Sequence, residues 1–276
     1  TVFELHVSPN GNDDHSGTAT EPLKSLDGAR VRLRRLREGG ALPMGGATVT
    51  LHRGTYRRTA SFRLEKEDSG TTEAPIVFRA AAGEDVIISG GVSIPPQVLQ
   101  PVTDKRILAR LPQTARAEAR VADLPALGIP IPAEPCAAEL SCHGVPLVPA
   151  RWPNDGYARL AGQPSITNAD GTPRVATLED GFLYHGDQPR RWQDPSEAWI
   201  HVWGNEFATG RARIDRIDLD RRHAVTRPPY GSQYGFPKNG RFFWFNILEE
   251  LDEPGEYYLD RQTGLLYVWL PAAESS

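Results

Sequence analysis

The stretch Glu256-Tyr-Tyr-Leu-Asp-Arg-Gln-Thr-Gly-Leu-Leu-Tyr-Val-Trp269 has the pattern of a β-hairpin. Residues 256–259 and 265–270 are short runs rich in Tyr, Leu and Val, which favour strands. The polar loop between them ends on Gly264, at the position where a bulged hairpin requires a positive φ. The aromatic run Arg241-Phe-Phe-Trp-Phe245 lies shortly before this hairpin.

Both faces of the second strand of this hairpin are apolar. One face carries Leu265, Tyr267 and Trp269. The other face carries Leu266, Val268 and Leu270. A strand that is apolar on both sides must be covered on both sides. We expect the strands of 135–226 to cover one face. We expect chain beyond Ser276 to cover the other face, which otherwise stays exposed.

The composition indicates a globular β protein. Gly and Pro together contribute 50 of the 276 residues (26 and 24), which favours many short strands joined by tight turns. The formal net charge of -4 is small, and Lys and Arg are dispersed apart from one short run, so we predict no nucleic-acid partner. No apolar stretch is long enough to cross a bilayer, so we predict no membrane partner.

Three regions follow one another along the chain. In 1–95, a helix over 26–37, capped by Ser25 and ended by Gly39-Gly40, is followed by strands over 47–52, 60–64, 74–80 and 85–90. We interpret 53–56 as a tight turn. The apolar run 86–88 is typical of a strand covered on both faces. Such short strands suit parallel β-coils or an antiparallel sandwich, and periodicity alone leaves the choice open.

The remainder of the chain divides at a Pro-rich segment. Residues 96–134 form this transition, with weak strands predicted over 106–111 and 117–121. Residues 135–276 read as a second β-rich unit. Cys136 and Cys142 fit either a local disulfide or two separate thiols. The chain begins at Thr1 without Met, which is how a processed protein looks.

Carboxylates crowd the segment that precedes the hairpin. A glycosidase needs two of them, about 5–5.5 Å apart for retention of configuration or about 6.5–9.5 Å for inversion. The candidates are Glu249, Glu250 and Asp252. Because Pro254-Gly255 marks a turn beside them, the competing interpretation is a polar turn with Arg261 as the salt-bridge partner.

Aromatic rings provide candidates for sugar binding. Trp152 and Trp192 lie in loop-like segments beside arginines. If they lie at the surface, their indole rings are accessible to a sugar. Arg151 and Asn154 flank the first of them and complete the set of candidate substrate-binding residues. Trp199, His201 and Trp203 share one face of a strand, which favours a core position for the indoles and a hydrogen-bonded structural role for the histidine.

Two sets of motifs resemble known proteins. The opening Val7-Ser-Pro-Asn-Gly-Asn-Asp13, and Arg53-Gly-Thr-Tyr56 with Ala74-Pro-Ile-Val-Phe-Arg-Ala80, resemble the start of right-handed parallel β-helix proteins of the pectin-lyase-like superfamily. Ala150-Arg-Trp-Pro-Asn-Asp-Gly156 and the segment 246–269 are similar to the N-terminal region of glycoside hydrolase family 141.

The resemblance implies an all-β fold. Residues 1–95 are then a cap helix and the first coils of a right-handed parallel β-helix, and an inserted, antiparallel β-rich domain follows. It also implies an exported glycoside hydrolase, periplasmic or secreted, that acts on fucosyl or xylosyl linkages of plant cell-wall polysaccharides. Catalytic carboxylates lie on later coils in such proteins, so we expect them beyond Ser276.

Other functions stay open. A non-catalytic carbohydrate-binding or structural β module and part of a β-helix polysaccharide lyase are the alternatives. The partner we predict is a polysaccharide or oligosaccharide. The sequence predicts no cofactor and, because the histidines lack ligand spacing, no metal site.

Overall fold

The structure is a computed structural model, and it describes residues 2–40, 42–133, 139–231 and 235–272. Contacts divide the chain into two compact units, Thr1–Ser93 and Ile94–Ser276. The Pro-rich segment 96–134 thus lies within the second unit. Cys136 is outside the described residues, and with it the question of its pairing to Cys142.

The described part of the first unit contains helix α1 (Leu26–Glu38) and short strands. The strands are β1 (Phe3–Val7), β2 (Ala47–Leu51), β3 (Gly54–Arg57), β4 (Ile76–Ala80) and β5 (Val86–Ser89). Strands β1, β2 and β4 form a parallel sheet, and β3 pairs in parallel with β5. The first unit is therefore built from parallel pairs, a choice that the sequence left open.

Helix α1 begins where the sequence predicts. The Ser25 Oγ accepts the N–H of Gly28 at 2.9 Å, and the same hydroxyl donates to the Asp13 carboxylate at 2.7 Å. The buried residues Leu26, Ala29 and Leu33 recur at helical spacing and pack with the sheet residues in one core. The amphipathic pattern thus places this helix against the parallel sheet.

Three local predictions in the first unit are wrong. Residues 54–57 form β3 rather than a tight turn, and 60–64 do not form a strand. Strand β5 is not covered on both faces, because Ile87 and Ile88 are each 57% exposed. Only Val86 of this strand packs against the core of the first unit.

The second unit holds helix α2 (Lys105–Arg110) and the remaining strands. These are β6 (Gln100–Pro101), β7 (Arg120–Asp123), β8 (Ser141–Cys142), β9 (Val145–Pro146), β10 (Val148–Pro149), β11 (Arg151–Trp152), β12 (Ala158–Gly162), β13 (Ile166–Thr167), β14 (Pro173–Arg174), β15 (Phe182–Tyr184), β16 (Trp199–Trp203), β17 (Thr209–Asp218), β18 (His223–Tyr230), β19 (Arg241–Phe245), β20 (Glu256–Asp260) and β21 (Leu265–Val268). Short 3₁₀ helices occupy Lys66–Asp68 in the first unit and Pro96–Val98, Pro125–Leu127, Gln188–Arg191 and Leu248–Glu250 in the second.

Six antiparallel strands close into a barrel. Their order is β19, β12, β15, β18, β17 and β16, and β16 pairs back to β19. Strand β12 pairs with residues 241–242 of β19, and β11 pairs with residues 244–245 of the same strand. Because side chains alternate across a strand, every second residue points into the barrel. Phe242 and Trp244 of β19 point inward, with Ile200 and Val202 of β16, into the largest apolar core.

The hairpin predicted over 256–270 is confirmed as β20 and β21, with Gly264 at φ +77°. It lies in a second sheet of order β10-β20-β21-β7-β6. Both faces are covered by residues of this chain, so the expectation of an uncovered face is wrong. One face packs with residues of α2 and 111–119, and the other packs with residues of 124–147. Leu266 and Val268 are 4% and 2% exposed, and Trp269 is half-buried.

The segment 96–134 supplies part of this cover, together with residues such as Leu147, Ala150 and Leu248, and its predicted strands differ from the observed elements. Residues 105–110 form α2, whose start is capped by the Asp104 carboxylate accepting the N–H of Arg106 at 2.8 Å. The second strand begins later than predicted, at Arg120, and pairs with β21. Arg106-Ile-Leu-Ala-Arg-Leu111 belongs largely to a helix rather than to the predicted strand, because Asp104 caps the first turn of that helix.

Candidate functional site

The candidate carboxylates lie just after β19, and two of them are buried. Glu249 and Glu250 sit on the 3₁₀ helix Leu248–Glu250 and are 5% and 1% exposed. The Glu249 carboxylate accepts two hydrogen bonds from the Arg110 guanidinium, at 2.9 and 3.2 Å. This two-point pair fixes α2 against the turn and leaves Glu249 no open face for a sugar.

Glu250 is held by another candidate residue, Trp192. Its Oε1 accepts the indole N–H of Trp192 at 2.5 Å and the side-chain amide of Gln188 at 2.6 Å. Burial raises the pKa of the Glu250 carboxyl above its ordinary value. Trp192 is itself 6% exposed and packs edge-on against Trp244 at 5.2 Å. The expected surface position of Trp192 is therefore wrong, because its ring belongs to the barrel core.

The remaining candidates are half-buried. Asn154 donates to the Asp252 carboxylate at 2.7 Å, so the structure brings these two together as well. Arg151 donates at 2.8 and 2.7 Å to two backbone carbonyls of the turn 153–156. Trp152 is paired with Trp244 across β11 and β19 and packs on the barrel core. These contacts shape the turn and its junction with β19.

Arg261 does not pair with the carboxylates of 249–256 as expected. Its guanidinium lies 2.6 Å from the Glu197 carboxylate and 5.4 Å from the centre of the Trp199 ring. Trp199 is 1% exposed, so its predicted burial is confirmed. The sequence could not reveal this pairing because Glu197 and Arg261 are 64 positions apart.

Three outward-pointing rings of β16 and β19, together with Tyr157 from the turn before β12, form a continuous group that we call the outer aromatic stack. Its members are Tyr157, His201, Trp203 and Phe243. The Tyr157 ring meets that of Trp203 at 4.6 Å, and His201 stacks between Trp203 and Phe243 at 4.7 and 5.0 Å. Two arginines complete it, Arg151 at 3.9 Å from the Phe243 centroid and Arg241 at 5.3 Å from that of Trp203.

His201 is the half-buried centre of this stack. Among the described residues its Nε2 has no hydrogen-bond partner, so the expectation of a hydrogen-bonded histidine is wrong for that atom. Burial, assisted by the charges of Arg211 and Arg151, lowers the pKa of His201 to about 4. His201 is therefore neutral at pH 7 and acts as a flat packing ring.

A cleft of about 610 Å³ opens beside the stack, and we call it the Trp203 cleft. Trp203 and Arg241 belong to strands of the barrel, and two loops form the walls. The remaining lining residues are Arg159, Gly204, Asn205, Glu206, Pro237, Lys238, Asn239 and Gly240. Its volume is within the range of small-molecule and sugar sites. Unlike Trp192, Trp203 is half-buried and keeps part of its ring accessible.

The chemistry of this cleft is that of binding. An indole ring stacks on apolar ring faces, and the two asparagines and the basic side chains offer hydrogen bonds around it. Among the lining residues, Glu206 is the one carboxylate, whereas hydrolysis of a glycoside needs two. In the part of the chain that the structure describes, no group of three or more His, Cys, Asp or Glu side chains is placed to hold a metal ion.

The sequence-based reasoning missed Tyr157, Phe243 and the basic residues of the cleft. The alternation Arg241-Phe-Phe-Trp-Phe245 does contain the signal, since 241, 243 and 245 share a face opposite to 242 and 244. What it lacks is the partner strand. The pairing of β16 with β19 joins segments about 40 positions apart and brings His201 opposite Phe243.

No family model matches the chain. It is 39% identical to pectate lyase PEL9 of Emericella nidulans over 87 residues, which are 32% of this chain and 18% of that protein. It is 37% identical to the uncharacterized protein YwoF of Bacillus subtilis over 86 residues, which are 31% of this chain and 15% of that protein. The matched region is thus less than a fifth of either relative.

The chain also shares its fold with a solved structure titled "Glycoside hydrolase". The TM-score is 0.74 at 23% identity, and the match covers 99% of this chain and 44% of that one. At this identity the likeness shows the fold alone. Separately, no helix among the described residues is long and apolar enough to span a membrane.

Proposed function

We propose that this chain is part of a carbohydrate-active enzyme and that its barrel binds saccharide in the Trp203 cleft. The observation that carries the proposal is Trp203, which is half-buried, contacts Tyr157 and His201, and lines an open, polar cleft. An aromatic ring held rigidly loses little entropy when a sugar ring stacks on it. The pectate lyase relative and the glycoside hydrolase neighbour support the carbohydrate assignment.

The finer proposal is the N-terminal region of a glycoside hydrolase like those of family 141. The fold match along nearly the whole chain supports it, and so do the parallel pairs β1-β2-β4 and β3-β5, which suit the first coils of a right-handed parallel β-helix. The catalytic carboxylates are then outside this chain. Burial of Glu249 and Glu250, each with its own partner, favours that position.

A polysaccharide lyase is the second candidate, and the match to a pectate lyase favours it. The two reactions differ in their products. A hydrolase adds water across the glycosidic bond, whereas a lyase eliminates and leaves an unsaturated sugar that absorbs ultraviolet light. Digestion of a polysaccharide by the whole enzyme therefore separates them: reducing ends without new absorbance indicate the hydrolase.

Calorimetric titration of the 276-residue chain with xylohexaose, cellohexaose and a galacturonate hexamer tests the binding role. We expect at least one ligand to bind with a dissociation constant below about 1 mM. Trp203→Ala should weaken that binding about tenfold or more, because the stacking surface is lost. Trp203→Phe should restore part of it.

Phe207→Ala provides the matched control. Phe207 is 87% exposed on the same β16–β17 hairpin but does not line the cleft. We expect its removal to leave the affinity within about twofold, and circular dichroism should show that both alanine variants are folded. Binding that is equal in wild type and Trp203→Ala would exclude the Trp203 cleft as the saccharide site.

A further inference from the structure

Two arginines lie directly opposite each other beside the Trp203 cleft. In the antiparallel pair of β12 and β19, Arg159 is in register with Arg241. Their neighbours Leu160 and Phe242 are buried in the barrel, so both arginines point outward. Residues opposite each other in such a pair have Cβ atoms about 5 Å apart, and like charges in that position are destabilising.

These two arginines contact a backbone carbonyl and aromatic rings. Within the described ranges neither Arg159 nor Arg241 has an ion-pair partner. Arg159 donates to the backbone carbonyl of Asn239 at 3.0 Å, and Arg241 lies over the rings of Tyr157 and Trp203.

The rest of the cleft increases the positive charge. Lys238 also lines the cleft and is exposed. Among the ten residues that line the cleft, Glu206 has the one carboxylate. The cleft therefore contains three cationic side chains, Arg159, Lys238 and Arg241, and one anionic side chain, which gives it a formal charge of +2. It does so in a chain whose net charge is -4. An anionic ligand is attracted to such a site and relieves the repulsion within it.

The neighbouring Trp203 ring indicates which class of anion fits the cleft. A hexuronate has a pyranose ring that can stack on Trp203 and a carboxylate that an arginine can hold with two parallel hydrogen bonds. A neutral sugar uses the ring and leaves the arginines unpaired. Inorganic anions use the arginines and leave the ring unused. A charged sugar engages both features of the cleft.

We propose that the Trp203 cleft selects acidic oligosaccharides, with the uronate carboxylate bound by Arg159, Arg241 and Lys238 and the pyranose ring stacked on Trp203. This proposal rests on the proposed saccharide-binding role of the same cleft. It adds the substrate class, and it places recognition of acidic sugars on the barrel of the second unit.

Matched ligands test this selectivity on the full chain. The probes are galacturonate and mannuronate hexamers, each beside its methyl ester, which keeps the sugar skeleton and removes the charge. We expect at least one acid to bind about tenfold more tightly than its ester near 0.05 M salt. The preference should shrink severalfold near 0.5 M salt, where exposed charges are screened.

Variants assign the preference to the cleft. Arg159→Gln combined with Lys238→Gln should weaken binding of the acid about tenfold more than binding of the ester, so that the preference for the acid disappears. Arg216→Gln combined with Lys105→Gln removes the same charge from exposed positions of the second unit outside the cleft, and should keep the preference. Thermal melts establish that both double variants are folded.

The outcomes separate this inference from the proposed function. Equal binding of acids and esters, with loss of both in Trp203→Ala, overturns the acidic selectivity and leaves the saccharide role intact. A preference that survives the Arg159/Lys238 variant also overturns it. Tighter binding of an oligothymidylate than of any hexuronate overturns it in favour of a single-stranded nucleic acid. Absence of binding by any saccharide overturns both proposals.

Discussion

Two side chains of the second unit have pKa values shifted in the direction that favours their neutral forms. Burial raises the pKa of Glu256 to about 7, although its Oε2 accepts the N–H groups of Asp252 and Glu253 at 2.9 and 3.1 Å. Burial lowers the pKa of His201 to about 4. The two shifts affect the free energy of unfolding in opposite directions over the same pH range, so the wild-type profile conceals both.

The substitution Glu256→Gln isolates the effect of Glu256 protonation on the free energy of unfolding. Folded Glu256 holds a proton between about pH 4.5 and 7 that the unfolded chain releases, so wild-type stability increases as pH falls through this window. Gln keeps the acceptor and does not titrate. The unfolding free energy of wild type relative to Glu256→Gln should therefore rise by about 2–3 kcal/mol from pH 8 to pH 5. Urea titrations at each pH measure it.

Glu253→Gln is the control for this comparison. Glu253 lies in the same turn and is exposed, so the stability difference from wild type should stay nearly constant with pH. A constant difference for Glu256→Gln as well would show that Glu256 is ionised in the folded protein at pH 5–7.

His201→Phe exposes the second effect. Below about pH 6.5 unfolded His201 takes up a proton that the folded protein rejects until about pH 4, so wild-type stability is lost as pH falls. Phe preserves the flat ring between Trp203 and Phe243. The unfolding free energy of His201→Phe, relative to that of wild type, should increase by up to about 1.4 kcal/mol per pH unit as the pH falls from 6.5 to 4. His185→Phe, at an exposed position, should show no such gain. A pH-independent difference for His201→Phe would contradict the neutral assignment.

Buried polar groups join the barrel to the hairpin of β20 and β21. Glu197 at the start of β16 pairs with Arg261 of the hairpin loop and Arg213 of β17, and its side chain is 3% exposed. Asn246, at φ +58°, donates to the carbonyls of Glu197 and Leu259 at 3.0 and 3.1 Å and accepts the Leu259 N–H at 3.0 Å. These contacts fix the end of β19 relative to the hairpin.

Glu197→Gln tests the importance of this junction. The substitution leaves the buried Arg261 guanidinium without its counter-charge, so we expect a loss of about 3–5 kcal/mol in unfolding free energy. Asp220→Asn breaks the exposed pair with Arg190 and should cost less than about 1 kcal/mol. Comparable small losses for both variants would show that the Glu197 pair contributes little to stability.

Gly264→Ala tests the hairpin loop. A Cβ at this position would lie 2.5 Å from two atoms of the Pro125 ring, in addition to the strain of φ +77°. Gly255→Ala is a matched control, since Gly255 has φ +94° and nothing within 4 Å of a Cβ. We expect Gly255→Ala to cost about 1–2 kcal/mol and Gly264→Ala at least 1 kcal/mol more, by thermal or urea unfolding. Equal costs would indicate that the loop moves away from Pro125 freely.

Elements defined by local signals could be predicted from the sequence, and long-range pairings could not. Helix α1 carries its own cap and its own apolar spacing, and the β20–β21 hairpin carries its turn glycine. The cover of that hairpin depends on which distant segments pack against it. The weak signals in 96–134 indicated a strand near β7, but neither α2 nor the contacts by which this segment helps to bury both hairpin faces.

The whole molecule combines a parallel first unit with a barrel-containing second unit. Each apolar core draws its residues from one unit alone. The candidate site follows from the closure of the barrel, because β16 and β19 must pair before Trp203, His201 and Phe243 meet. Trp199 and Trp203 share a strand face as the sequence predicts, and Trp199 is buried as predicted, whereas Trp203 is half-buried. The face lies outside the barrel, where Trp203 borders the cleft.

A crystal structure of the chain with the tightest-binding oligosaccharide would locate the ligand. The proposed function predicts one pyranose ring stacked on Trp203 in the cleft beside the outer aromatic stack, within hydrogen-bonding reach of Asn205 or Asn239. The further inference predicts a carboxylate between Arg159 and Arg241 when the ligand is acidic. An oligosaccharide bound elsewhere, with the Trp203 cleft unoccupied, would contradict the assignment of this cleft.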